Sequence, residues 1–311
     1  MGLVSQNFAL LCPGQASQKI GMCKDIYQND EFARVHIDKA NDILSYDIKK
    51  IMFSGPEDVL KQTVHTQPAM FISSFVIGSI LLSRGLKPAC AAGHSLGEFS
   101  AFALAGAFNF EDGLKLVKTR SEAMYEVGKK NPGTMAAVIG LSDEQIQNIC
   151  SNYTDGIVCV ANYNSPSQVV ISGEISAISD ISPILIEKGA IKVVKLNVSG
   201  AFHSPLMREA KDALKEHLSS MNIKNTSFPV YTNLTSKPAY LISDVYEALL
   251  NQIDNPVLWS KSVSKMISDG INKGVEIGPS KVLQGLAKRI DRSLIMYGAE
   301  SYEDILNLTN V

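Results

Sequence analysis

Apolar residues in this chain fall into short solid runs, separated by longer stretches in which they recur every third or fourth position. Residues 7–11 and 87–92 have the length and density of buried strands, while 30–44, 67–83 and 96–108 carry helical periodicity. Single strands alternating with helices predict a parallel α/β core. The middle of the chain reads differently. Strand patterns at 134–141, 156–163, 168–173 and 191–198 are interleaved with helical patterns at 142–153 and 175–189, and Ser142-Asp143-Glu144-Gln145 opens the first of these helices as a capping box. The resulting order, β-α-β-β-α-β, is that of a ferredoxin-like unit. Since strand patterns at 230–233 and 274–277 resume the α/β alternation, this unit is expected to be an insertion. The predicted organisation is a large subdomain of 1–131 and 199–311 and a small subdomain of 132–198. Turn-prone Asn131-Pro132-Gly133 marks the entry and Ser199-Gly200 the exit. A cleft between two such lobes is a usual place for a ligand.

Composition narrows the partners. With 311 residues, 45% hydrophobic and 19% charged, the chain can bury a large core. A formal net charge of -2 leaves no electrostatic footprint for nucleic acid or an anionic membrane. No apolar run is expected to reach the ~20 residues of a membrane span, and the first residues lack a secretory signature. After Met1-Gly2 the sixth residue is Gln6 rather than Ser or Thr, so no myristoyl signal is expected, and a cytoplasmic location follows. Cys12, Cys23, Cys90, Cys150 and Cys159 show neither a disulfide framework nor metal-ligand spacing. No metal site and no permanently bound cofactor are expected.

The chemistry begins at Gly93-His94-Ser95-Leu96-Gly97, a Gly-x-Ser-x-Gly turn set between a strand pattern and a helix pattern. Such a turn lifts a serine hydroxyl to the rim of a sheet and suggests acyl transfer through a serine ester. The serine needs a base. His36 and His217 lie among charged residues and are expected to face solvent; His94 would point to the other side of the turn; His65 fits a helix entry. His203, in Gly200-Ala201-Phe202-His203-Ser204, is placed by topology at the cleft, with a plain packed histidine as the alternative. On the helical stretch 110–129, Lys115, Lys118, Glu122, Glu126 and Lys129 share one face, and Arg120 falls within the opposite, apolar one. A guanidinium cannot shed its charge, so it requires an anion there, either a structural partner or a substrate carboxylate gripped by its planar fork. Gln15, in the turn Pro13-Gly14-Gln15 after the first strand, could lend a backbone N–H to an oxyanion beside that of Leu96. The stretch 251–256 reads as a helix end and loop.

Together these pieces resemble the malonyl-CoA:acyl-carrier-protein transacylases of fatty-acid synthesis and related acyltransferase domains. The resemblance rests on Pro13-Gly14-Gln15-Ala16-Ser17-Gln18, Thr66-Gln67-Pro68-Ala69, Gly93 to Glu98, Arg120, Asn164-Ser165-Pro166, Gly200 to Ser204, Asn255-Pro256-Val257 with Trp259, and Glu276-Ile277-Gly278-Pro279. It implies an α/β-hydrolase-like large subdomain with a ferredoxin-like insert, Ser95 as nucleophile and His203 as its base. It implies further that Arg120 holds the malonyl carboxylate, that Gln15 and Leu96 supply oxyanion amides, and that the main-chain carbonyl of Gln252 orients the histidine. Gln67, Asn164 and Phe202 become substrate-binding positions, the aromatic ring at Phe202 disfavouring an α-methyl branch. Malonyl-CoA is the implied substrate, holo acyl carrier protein the partner, and a monomer the expected state. Three positions depart from the pattern: Cys12 for Phe, and Ala16 and Ser280 for Gly. A backbone conformation that alanine adopts readily is expected at Ala16. Rival readings are a serine thioesterase or other hydrolase, a non-catalytic docking module for carrier proteins, and a trans-acting polyketide acyltransferase.

Overall fold

The computed structural model describes residues 7–309; Met1, Gly2 and Gln6, on which the amino-terminal reading rests, lie outside the described residues. The chain forms a mixed α/β fold with two sheets. In chain order the strands are β1 (Phe8–Cys12), β2 (Cys90–Gly93), β3 (Gly133–Ile139), β4 (Val158–Ser165), β5 (Gln168–Glu174), β6 (Lys192–Lys195), β7 (Val230–Tyr231), β8 (Pro238–Ala239), β9 (Lys273–Ile277) and β10 (Ile295–Ala299). The larger sheet has the order β10-β9-β1-β2-β7-β8, parallel apart from the β7-β8 hairpin. The smaller is antiparallel, ordered β4-β5-β3-β6.

Alternation along β1 explains the layering. Phe8, Leu10 and Cys12 point into one core with the helices Thr63–Ser83, Gly97–Leu104 and Phe110–Lys130, whereas Ala9 and Leu11 point into another with Trp259–Ser268 and Val282–Ile290. A central strand buried on both faces must be apolar throughout, as this one is. By length and mean hydropathy the helix Thr63–Ser83 would pass for a membrane span, contrary to the expectation that no run is long enough. It is instead the central core helix, most of it covered by protein. Its Pro68 cannot donate to the Val64 carbonyl one turn back, and the Tyr46 hydroxyl does so at 3.1 Å.

The small sheet has its own core with the helices Asp143–Ser151 and Ile175–Glu187, while Met135, Ala161 and Val170 on its other face join the main core. Two backbone hydrogen bonds stitch β4 to the large sheet's connections, from Tyr163 N to Val257 O (2.9 Å) and from Val257 N to Ala161 O (2.8 Å). The capping box at Ser142 and Gln145 is formed. Several boundaries differ from the sequence reading. The strand expected from residue 87 begins at Cys90, after Pro88, and the helix expected to reach 108 ends at Leu104, before Gly106 with φ of +86°. His36 and His217 are half-buried rather than solvent-facing. The ring of His36 stacks on Phe32 at 3.8 Å, and Nδ1 of His217 bonds the Thr119 hydroxyl at 2.8 Å.

Candidate active site

The connection from β2 to the helix Gly97–Leu104 is so tight that its geometry dictates its glycines. A Cβ on Gly93 would collide with the carbonyl of Gly97, and one on Gly97 with the carbonyl of Cys12. Between them Ser95 has φ of +51°, a left-handed conformation that costs an L-residue energy and persists only when neighbours hold it. Asn233 and Gln252 provide that hold. Ser95 N donates to Asn233 Oδ1 at 2.7 Å, and Gln252 Nε2 donates to Ser95 O at 2.8 Å. His94 turns away from the serine hydroxyl, its Nε2 2.8 Å from Asn164 Oδ1 and its ring 5.5 Å from that of Trp259.

His203, 3% exposed, stands over the elbow with Nε2 2.8 Å from Ser95 Oγ. Its Nδ1 lies 2.9 Å from the carbonyl of Gln252, at the start of the 3-10 turn Gln252–Asp254. A carbonyl only accepts, so Nδ1 carries the proton and Nε2 presents its lone pair to the serine. Burial, then the neighbouring Arg120 charge, push the imidazole down to about 3. It is a neutral acceptor near pH 7. His65 lies at the start of the helix Thr63–Ser83, bonded through Nδ1 to Val59 O at 3.0 Å.

Arg120 comes in from the apolar face of Phe110–Lys130 and is 1% exposed, behind the serine rather than on the wall of an open cleft. Nη1 donates to Gln67 Oε1 at 2.6 Å, and Nη2 to Gln252 Oε1 at 2.8 Å and Ser95 Oγ at 3.2 Å; the guanidinium also lies 5.1 Å from the Phe99 ring. Ser95 Oγ thus sits between a neutral base and a cation.

The pattern of the "Acyl transferase domain" family matches residues 9–302. The chain belongs to this acyltransferase family. It is 37% identical over 288 residues to a malonyl CoA-acyl carrier protein transacylase of Bacillus subtilis, covering 92% of this chain and 91% of the relative. Among solved structures it resembles an acyl carrier protein S-malonyltransferase of Vibrio cholerae, with TM-score 0.94, 34% identity, and coverage of 97% of this chain and 100% of that one. It resembles equally the malonyl-transacylase solved in complex with a type II PKS acyl-carrier protein, with TM-score 0.94, 34% identity, and coverage of 98% and 99%.

In this acyltransferase the turn after β1 does not relax around its alanine. Ala16 has φ of +79° and Ser280 of +77°, so both keep the left-handed backbone that glycine would adopt freely, and the expectation of an unstrained Ala16 is corrected. Gln15 is half-buried, its Nε2 3.3 Å from Thr63 Oγ1, which in turn meets Ser199 Oγ at 3.0 Å. This polar chain runs beside a cleft of about 610 Å³ walled by Gln15, Thr63, Tyr125, Asn197 and Ser199. Leu96 is buried with helical dihedrals at the elbow's exit, and Phe202 is buried in the main core. Two participants had been given no role from the sequence. Glu98, fully buried, accepts from Asn233 N at 2.7 Å and from Gln252 Nε2, while Asn233 Nδ2 donates to Gly93 O at 2.6 Å. A carboxylate in the otherwise apolar helix Gly97–Leu104 was the available signal.

Proposed function

We propose that this acyltransferase carries a malonyl group from malonyl-CoA to the phosphopantetheine thiol of acyl carrier protein, through an ester on Ser95, to supply fatty-acid synthesis. The observation that carries this reading is the position of Ser95 Oγ, 2.8 Å from His203 Nε2 and 3.2 Å from Arg120 Nη2. A base alone would suit any acyl ester. A buried cation beside the nucleophile suits an acyl group with its own carboxylate.

In this mechanism the substrate carboxylate takes hydrogen bonds from Arg120, which fixes the thioester carbonyl over Ser95. As Oγ bonds the carbonyl carbon, its proton passes to His203 Nε2, and the Nδ1–H bond to Gln252 O steadies the imidazolium. The backbone N–H groups of Leu96 and Gln15 receive the oxyanion. The carbon–sulfur bond breaks, the proton goes to the departing thiolate of coenzyme A, and the carrier thiol then reverses each step. Gln67 fixes Arg120 from the other side. Phe202 restricts the α-carbon, and Asn164 acts at the substrate side through the elbow histidine His94 that it bonds.

The same reading takes the large lobe as α/β-hydrolase-like and residues 132–198 as a ferredoxin-like insert, in keeping with the strand order β4-β5-β3-β6. A monomer working in the cytoplasm without a bound cofactor completes it. Labelled malonyl-CoA tests the function: label should appear on Ser95 and move to holo carrier protein. No adduct, an adduct surviving Ser95→Ala, or free malonate released at a rate indifferent to carrier protein would each overturn it. Fatty-acid and polyketide carrier proteins in competition identify the preferred acceptor.

A further inference from the structure

The reading of Arg120 as a carboxylate clamp leaves open what aims it. Its buried surroundings contain one acidic side chain that the chemistry does not use, Glu98, fully buried in the first turn of the helix that follows the nucleophile. The carboxylate receives two N–H donors, Asn233 N on Oε1 at 2.7 Å and Gln252 Nε2 on Oε2. An ionised carboxylate only accepts, so the Gln252 amide must turn its nitrogen toward Glu98. Its oxygen then faces Arg120 Nη2 at 2.8 Å. With the acceptor-only group on one side and the donor-only guanidinium on the other, a single amide orientation satisfies both. The second arm runs through Asn233, whose Oδ1 takes the N–H of Ser95 at 2.7 Å.

We propose that Glu98 is a positioning residue for the arginine clamp: its carboxylate fixes the Gln252 amide so that Arg120 receives an oxygen, and supplies the buried negative charge that balances the guanidinium until the substrate carboxylate arrives. This rests on the reading of Arg120 and Ser95 given above. Burial raises the Glu98 carboxyl to about 7, the two N–H donors and Arg120 opposing that rise, so the charged form that the clamp requires gains as pH climbs above 7.

Glu98→Gln separates the two arms. Its amide oxygen can still accept from Asn233 N, but its NH2 group now opposes the nitrogen of Gln252 and drives that amide to reverse, which turns an NH2 toward Arg120 and gives up the Nε2 bond to Ser95 O, a loss that both acyl groups share. Loading of Ser95 is measured with malonyl-CoA and with acetyl-CoA, which lacks the carboxylate, in wild type, Glu98→Gln, and Glu98→Gln with Gln252→Glu, each first checked by thermal melt. The expected result is a fall in kcat/KM with Glu98→Gln that is about tenfold or more greater for malonyl-CoA than for acetyl-CoA, the shared part of the loss reporting the bond to Ser95 O, and recovery of at least half of the malonyl-specific part, on a logarithmic scale, in the paired variant, where Glu at 252 accepts from Gln at 98 and faces Arg120. Equal losses for both acyl groups, or no loss, overturn the proposal. If Glu98→Gln does not fold, the paired variant decides: folded and selective for malonyl upholds it, and unfolded or unselective overturns it. Absence of a malonyl adduct on wild-type Ser95 would instead sink the underlying function.

Discussion

Replacing Arg120 with lysine keeps the positive charge and removes the fork. In the free enzyme the guanidinium already spends three N–H groups, on Gln67 Oε1, Gln252 Oε1 and Ser95 Oγ, the last being the longest at 3.2 Å. Five donors in all leave two for an incoming carboxylate, or three once the serine contact is released. Lysine has three donors and no fork. After serving the two glutamine oxygens it can give the substrate one charged hydrogen bond where arginine gives two. One such bond is worth about 1.5 to 3 kcal/mol, which corresponds to a loss of about 10- to 150-fold in kcat/KM for malonyl-CoA. Acetyl-CoA presents no carboxylate and should load Arg120→Lys within about threefold of the wild-type rate. The assay is single-turnover acylation of Ser95 by each thioester, followed by mass spectrometry of the intact protein, with a thermal melt to verify folding. If both acyl groups lose rate by the same factor, Arg120 is a structural cation that supports the elbow, and the argument from substrate charge fails.

The remaining predictions concern strain, protonation and the elbow. Ala16→Gly should stabilise the protein by about 0.5 to 1 kcal/mol, because relief of a left-handed alanine (about 1 to 2 kcal/mol) exceeds the added freedom of an unfolded glycine (about 0.4 to 1 kcal/mol); urea unfolding midpoints that stay level or fall refute this. His203 binds a proton less readily folded than unfolded, so its contribution to stability is present near pH 7 and is lost as pH falls from about 6.5 toward about 3. Glu98, raised when folded, acts oppositely between about 4.5 and 7, so the two terms partly cancel in whole-protein data. The stability difference between wild type and His203→Gln isolates the first and should shrink by a few kcal/mol from pH 7 to pH 4; a constant difference would contradict a neutral buried imidazole. Gly97→Ala places a methyl against the Cys12 carbonyl and should abolish Ser95 acylation with a melting temperature lowered by several degrees, whereas unchanged acylation would mean that the elbow has slack.

Much of this site was legible before any coordinates, for reasons that differ from residue to residue. Arg120 stood out because helical periodicity is the firmest signal in a sequence, and a permanent charge within an apolar stripe conflicts with it. Ser95 was marked by flanking glycines whose need is now visible as backbone crowding at Gly97 and Cys12. Glu98 was easily passed over, although it stands alone among apolar residues, because an acid in the first turn of a helix is ordinary at a surface, where it complements the helix dipole. Its burial depends on Asn233 and Gln252, 135 and 154 residues further on, and no local pattern reports such a meeting. The same holds for His36 and His217, whose charged sequence neighbours face solvent while the rings lean on Phe32 and Thr119. Strand lengths were overestimated where pairing is brief, as at β7, which ends at Tyr231 instead of 233. The left-handed Ala16 could not be inferred from alanine, since the conformation is imposed by the fold around it.

The paired hydrogen bonds between Val257 and the β4 residues Ala161 and Tyr163 bear on how the acyl group travels. They join the small sheet to the connections of the large one, so opening the molecule like a jaw between the two sheets would break this pairing at each turnover. In the proposed malonyl transfer the thioester's own tether would therefore supply the motion, a long, slender arm entering and withdrawing between sheets that stay joined. A rigid vessel of this kind would select its cargo carriers by the reach of their arms.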